Sequence, residues 1–240
     1  MTFTAPAPAA QNREPVTSFP NRPIRLVSGF TSSGPPDLLG RILAVKLTDL
    51  LGQQSVVDNR PGAGGTMGTK IVADATPDGH TLLVVSASYA VVPALYAKLP
   101  FDPRKDLAGI TTIYTSPYVV TVPASLGVKS IQELIALAKS KPGQLNFGSA
   151  GIGSATHFAA ELFNATAQVD IVHVPYKGIA EAVTDTMTGR VQLLMSVPLT
   201  VTTPVKEGKL RALATTGRQR AATYPDTPTV AEAGLPGYFW

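Results

Sequence analysis

The 240-residue chain contains no cysteine, which excludes disulfides, thiolate-bound metals and cysteine nucleophiles. Charge is sparse: 15% of residues are Asp, Glu, Lys or Arg, against 44% hydrophobic. That balance describes a globular chain with enough apolar side chain to bury real cores. Twenty basic and sixteen acidic residues leave a net charge of +4, but the basic residues are scattered singly. With no run or stripe to follow a phosphate backbone, the pattern argues against a nucleic-acid partner, while a mildly basic surface suits a small anion. No apolar run approaches the ~18 residues of a membrane helix. Only three histidines are present, and His80, His157 and His173 lack metal-ligand spacing, so neither a metal nor a cofactor is expected.

What is present is one unit written twice. "PIRLVSGF" reads as a strand and leads into the loop "TSSGPPD", then a helix with apolar residues at Leu39, Ile42, Leu43, Leu47 and Leu50, stopped by Gly52. The strand "QSVVDNR", a glycine-rich turn, a helix from about Thr66 to Ala73 and the strand "HTLLVVSAS" complete the unit. The same order returns as "QLNFGSAG", "ATHFAAELFNAT", "DIVHVPY", "IAEAVTDTMTG" and "RVQLLMSVP". Strands alternating with helices require crossover connections, so the expected fold class is α/β with two lobes, each a mostly parallel sheet flanked by helices. A length of 240 residues suits two such lobes with a cleft between them. Lobe one is assigned to 22–117 and lobe two to 118–235. The stretch around "GITTIYTSPYVVTVP" is read as a strand crossing between them. Residues 1–21 read as a disordered arm or as the remnant of a secretory signal, since "APAPAAQ" has the small-residue character of a signal tail without the apolar region before it.

Ligands of open α/β sheets sit beyond the carboxyl ends of strands, beside helix starts. The two Gly/Ser loops, Thr31 to Asp37 and Ser149 to His157, hold equivalent places in the two units and are expected to face each other. Each offers amide groups and the positive end of a helix dipole to an anion. Nucleotide motifs fail: in "PGAGGTMGTK" the lysine is misplaced for a P-loop, and neither Gly62-Ala63-Gly64 nor Gly151-Ile152-Gly153 continues as a dinucleotide fingerprint. No Gly-x-Ser-x-Gly elbow surrounds Ser149 or Ser154, so binding without catalysis is the leading expectation, with a cytosolic effector-sensing two-lobe module as the alternative and an enzyme using the interlobe cleft as the lesser one. Asp37 is either a helix-start acid or a ligand contact, and His157 either supports its loop or reaches the ligand. His173 reads as a packed strand residue. "HVPYKG" is a surface turn or a third wall of the cleft, with Tyr176 supplying a ring and a hydroxyl.

Taken in order, "PIRLV", "VVDNRPGAGGTMGT", "PDGHTLLV", "NFGSAGIGSATH", "DIVHVPYKG", "GKLRALA" and "DTPTVAEAGLPGY" resemble the substrate receptors of tripartite tricarboxylate transporters, also called Bug proteins. The resemblance implies a periplasmic-binding-protein-like fold of type II and a periplasmic, monomeric receptor. It also implies closure on a small organic carboxylate and delivery to the transporter's membrane subunits. Loops and resemblance together mark a ligand-binding set: Phe30, Thr31, Ser32, Ser33, Gly34, Pro35 and Asp37 in the first loop, and Ser86 and Ser88 after the lobe-one strand. Ser149, Ala150, Gly153, Ser154, Ala155, Thr156 and His157 form the second loop, and Tyr176 and Ser196 complete the set. This chain has Thr31-Ser32-Ser33-Gly34 where relatives carry a Pro-Pro-Gly-Gly type loop. Ser196 stands where many have an acid. Relatives also continue past "GLPGYFW" toward lobe one, so residues 236–240 are expected to begin that return, and lobe one is expected to carry an exposed apolar face.

Overall fold

The computed structural model describes residues 19–240, and the arm or signal remnant expected at 1–21 lies, up to residue 18, outside them. Lobe one contains three parallel strands, β1 (Ile24–Ser28), β2 (Ser55–Asn59) and β3 (Thr81–Val84), in the order β2-β1-β3. Helices α1 (Pro35–Leu51) and α2 (Thr66–Ala73) make the crossovers, and α3 (Ser88–Leu95) follows β3. Lobe two comprises β4 (Val119–Pro123), α4 (Ile131–Ser140), β5 (Leu145–Ser149), α5 (Ala155–Ala167), β6 (Ile171–Pro175), α6 (Ile179–Met187), β7 (Leu193–Ser196), α7 (Pro198–Lys206) and β8 (Leu210–Thr215). Its sheet order is β6-β5-β7-β4-β8, with β5 parallel to β6 and β7, and β4 antiparallel to both its neighbours.

The repeat is visible in the strand orders themselves. In each lobe the first strand of the unit is central, with the second on one side and the third on the other, giving β2-β1-β3 and β6-β5-β7. Connections therefore leave β1 and β3, and likewise β5 and β7, toward opposite sides, which opens a crevice beyond their carboxyl ends.

The cores are unequal. Lobe two buries one cluster around Phe147, Phe163, Met195 and Tyr238 and a second around Val119, Ile179, Leu194 and Val201. Lobe one buries a smaller cluster of Ile24, Leu26, Ala44 and Val84. Helix α1 differs from the apolar stripe expected of it: Ile42 is 61% and Leu50 79% exposed, while Gly40 and Ala44 face the sheet. A Cβ at Gly40 would lie 3.4 Å from Val57 and 3.6 Å from Val84, so small residues, not large ones, set how closely this helix packs. Exposed Val45 and Val56, on α1 and β2, add to the apolar surface of lobe one.

Three further expectations change. The stretch 107–116 has no regular structure, and the strand expected there begins only at Val119, inside the lobe-two sheet. Helices α3 and α7 were hidden by prolines, because Pro93 and Pro204 lie inside them and read as breakers. Residues 236–240 pack on lobe two instead of heading for lobe one. Tyr238 is 1% exposed in the Phe163 cluster, its hydroxyl donates to Ala159 O at 3.0 Å, and the Trp240 amide donates to Thr216 O at 2.8 Å.

Tyr238 therefore ties the final residues to α5. Tyr238→Phe, which removes only the hydroxyl, is expected to lower unfolding free energy by about 1 kcal/mol, and Tyr238→Ala by about 3–5 kcal/mol. Urea denaturation followed by circular dichroism measures both, and equal losses in the two variants would show that the ring contributes no packing.

Candidate functional site

Each glycine loop is held by groups of its own lobe. In the first, Asp37 is buried in the first turn of α1 and accepts the Ser33 amide at 2.9 Å and Arg41 Nε at 3.1 Å. Burial pushes the Asp37 carboxyl up, but Arg41, the Ser33 amide and Asn59 outweigh it and hold the group below its ordinary value. Asn59, the last residue of β2, donates to Phe30 O at 3.1 Å and fastens the start of the same loop. Asp37 is thus the loop's internal anchor.

In the second loop, Ser154 caps α5 by accepting the His157 amide at 3.3 Å. Its hydroxyl also pairs with Thr156 Oγ1 at 2.9 Å, and Thr156 Oγ1 accepts the Ala150 amide at 2.9 Å. Gly151 and Gly153 take φ of 102° and 79°, conformations that side chains resist. Beneath the loop lies a stack of rings. The centroids of His157 and His173 are 4.1 Å apart, and His173 and Phe147 are 4.8 Å apart. His157 Nδ1 accepts the Gly153 amide at 3.3 Å, and His173 Nε2 lies 2.6 Å from Ser149 Oγ.

Between the lobes lies a small cavity of about 50 Å³. Its lining comes from strand ends and helix starts: Phe30 and Thr31 after β1, Ser86 after β3, Ala150 after β5 and Ser196 closing β7. Gly34, Pro35 and Pro36 supply the start of α1, Ser154, Ala155 and Thr156 the start of α5, and Ile179 the start of α6, with Tyr118 completing the wall. No Asp, Glu, Lys, Arg or His lines it. Three helix starts point their positive ends at an uncharged lining, with Asp37 and Glu181 in the first turns of α1 and α6 behind it. Donors come mainly from α5, whose first amides at Ala155 and Thr156 precede any intrahelical bond. Pro35 and Pro36 leave α1 with few first-turn donors. Ser196, fully buried, pairs its hydroxyl with Thr200 Oγ1 at 2.8 Å.

Of the expected set, the cavity brings together Phe30, Thr31, Gly34, Pro35, Ser86, Ala150, Ser154, Ala155, Thr156 and Ser196. The other eight lie outside its lining. Asp37, Ser149 and His157 hold the loops from behind, as described. Ser32 and Ser33 turn to the exposed side of the first loop. Ser88 begins α3 and pairs with Ser86 Oγ at 2.7 Å. Gly153 meets the opposite lobe, where a Cβ on Gly64 would lie 3.1 Å from its carbonyl oxygen. The Tyr176 hydroxyl is not offered to the cleft: it donates to Asp185 Oδ2 at 2.8 Å, and burial, then Asp185, pushes it up to about 12. Three lining residues were missed. Pro36 and Ile179 carried a signal, as the residues opening helices after Gly-rich loops, whereas nothing local marks Tyr118.

His157 must be unprotonated at Nδ1 to accept the Gly153 amide, and the surroundings of both rings favour the neutral form. Burial, then the neighbouring His157, lowers His173 to about 4, and burial lowers His157 against the opposing pull of Glu161. Folded values below the unfolded ~6.5 mean that the unfolded chain binds the extra protons. Stability is then complete above about pH 6.5 and falls as pH drops toward about 4, by on the order of 2–3 kcal/mol. Denaturant unfolding at pH 7.5, 6 and 4.5 is expected to show this slope, and His173→Gln to flatten it. A slope unchanged in that variant would place the titration outside His173.

Comparison with known proteins places the chain. Residues 39–239 match the model of the tripartite tricarboxylate transporter family receptor. A protein encoded in the tcbD-tcbE intergenic region of Pseudomonas sp. (strain P51) is 39% identical over 92% of this chain, which spans 66% of that relative's length. The R. palustris protein Rpa4515, solved with adipate, superposes with a TM-score of 0.86 at 34% identity, covering 92% of this chain and 75% of that one. MatC from Rhodopseudomonas palustris, solved with bound malate, gives 0.84 at 31% identity, covering 92% and 76%. The chain belongs to the tripartite tricarboxylate transporter receptor family.

Proposed function

We propose that this protein is a periplasmic solute receptor that closes its two lobes on a small organic carboxylate lacking an ammonium group, and delivers it to the membrane subunits of a tripartite tricarboxylate transporter. The observation that carries this reading is the convergence of the α1, α5 and α6 starts on one interlobe cavity with no ionised side chain. A carboxylate there gains helix-start amides and dipoles, each end contributing up to about 1 kcal/mol before hydrogen bonds. An ammonium finds no carboxylate, and an unpaired buried ion costs several kcal/mol. Ser196 offers a hydroxyl already shared with Thr200, which neutralises nothing. The adipate and malate of the Rhodopseudomonas proteins are dicarboxylates without ammonium groups, in keeping with this class. Family membership supports the transporter partner and the periplasmic location.

Calorimetry with succinate, adipate, terephthalate, aspartate and glutamate tests the ligand class. At least one of the three diacids is expected to bind more tightly than either amino acid. Tighter binding of aspartate or glutamate than of all three diacids would refute the ammonium argument, and binding of neutral sugars alone would refute the carboxylate reading.

Closure is testable separately. A Cβ placed on Gly178 would lie 2.1 Å from Thr31 Oγ1, across the cleft, yet Gly178 has an extended φ of −155° that any residue adopts. Gly178→Val is expected to leave the melting temperature of the unliganded protein within a few degrees while weakening carboxylate binding at least tenfold. Unchanged affinity would mean that binding does not require this approach of the lobes.

A further inference from the structure

A second compartment of about 340 Å³ adjoins the first and shares Phe30, Thr31 and Ala150 with it. Its remaining wall is unusually bare. Gly62, Ala63, Gly64 and Gly65 all take positive φ, and with Gly29 and Gly151 they present mostly backbone, flanked by Ile152 and Tyr176. Lys177 is the one charged side chain lining it. Among the described residues the Lys177 ammonium makes no ion pair and no hydrogen bond, while its backbone amide donates to Glu181 Oε2 at 3.2 Å. The nearby acids are engaged elsewhere: Glu181 by that amide, and Asp185 by the Tyr176 hydroxyl and by Arg190 at 3.2 Å. The inner cavity thus has no ionised lining side chain, and the outer one has the exposed Lys177 in its wall.

We propose that the outer compartment takes the distal acidic group of an elongated diacid, with Lys177 as its counter-charge and as the residue that selects for ligand length and second charge. The inference rests on the carboxylate reading of the inner cavity and extends it. One carboxylate sits at the helix starts, the carbon chain passes Phe30 and Ala150, and the second carboxylate meets the ammonium. A monoacid of equal length places a methyl group beside Lys177 and gains no such pairing. A short diacid does not reach it.

Calorimetry at 150 mM salt with hexanoate, adipate and succinate tests this on the wild type, Lys177→Met and Lys177→Arg. In the wild type adipate is expected to bind at least tenfold more tightly than hexanoate. That ratio is expected to fall to about threefold or less in Lys177→Met and to persist in Lys177→Arg. No preference for adipate in the wild type, or an unchanged ratio in Lys177→Met, would overturn the distal site while leaving a carboxylate receptor intact. A loss for succinate as large as that for adipate would assign the effect to the general field of the lysine and would also overturn it. Failure of all three acids to bind the wild type would overturn the carboxylate reading and the distal site together.

Discussion

A helix that starts at the end of a strand leaves amide groups with no partner inside the helix, and this protein leaves several of them facing one enclosed space. Everything about the cavity follows from that. The α5 start has a serine cap that satisfies the His157 amide and leaves those of Ala155 and Thr156 for a ligand. The α1 start has prolines at its first two positions, so it brings a dipole and an apolar surface more than donors. Lobe two therefore supplies most of the directional hydrogen bonding and lobe one most of the shape. The division explains why the second loop is the more heavily braced: Ser149, Thr156 and His157 pin its backbone and His173 holds the Ser149 hydroxyl, because donors must be held still if they are to discriminate.

Bringing such loops together requires backbone to approach backbone. Gly64 meets Gly153 across the cleft and Gly178 meets Thr31, while inside lobe one Gly29 packs against Gly65 and Gly68, where Cβ atoms would fall 2.6–2.8 Å from backbone atoms. The glycine-rich "PGAGG" turn thus has two tasks. It lets α2 start against the end of β1, and it forms the lobe-one face that touches lobe two. A nucleotide motif with the same composition would spend its glycines on phosphate; here they are spent on closeness.

Most of the architecture was legible from hydrophobic periodicity and Gly/Pro punctuation, because both βαβαβ units consist of short apolar strands and helices separated by Gly/Pro loops. The two loops were legible for the same reason, and the switch-point rule placed them. What could not be read was orientation. Nothing in "TSSGPPD" tells that Thr31 and Gly34 face inward while Ser32 and Ser33 face solvent, since the Ser33 turn, with φ of 65°, is imposed by Asp37 and Arg41 four and eight residues on. Tyr176 stands in the wall of the outer compartment, but its hydroxyl is taken by Asp185, nine residues later on the next helix. Helix α1 misled through size, as Ile42 and Leu50 point outward and Leu47 only partly packs, while its glycine and alanine point in. Tyr118 enters the cavity from a strand whose partners, β7 and β8, lie some seventy to ninety residues away, and no local pattern carries such information.

The absence of charge from the inner cavity is itself a design constraint. An arginine there would bind an anion more strongly, but in the empty protein its own charge would need water or an acid, and closing over it without ligand would be costly. Amides and dipoles avoid that problem. They are fixed by the fold, lose less solvation than a full charge when the lobes close, and attract an anion without demanding one. The same economy holds at Asp37, the one acid beside the first loop, whose charge is taken up by Arg41 at 3.0 Å before it can oppose a ligand. A field assembled in this way tolerates an empty cleft as readily as a filled one, and that tolerance separates a protein that must both take up and let go of its ligand from one built only to hold it.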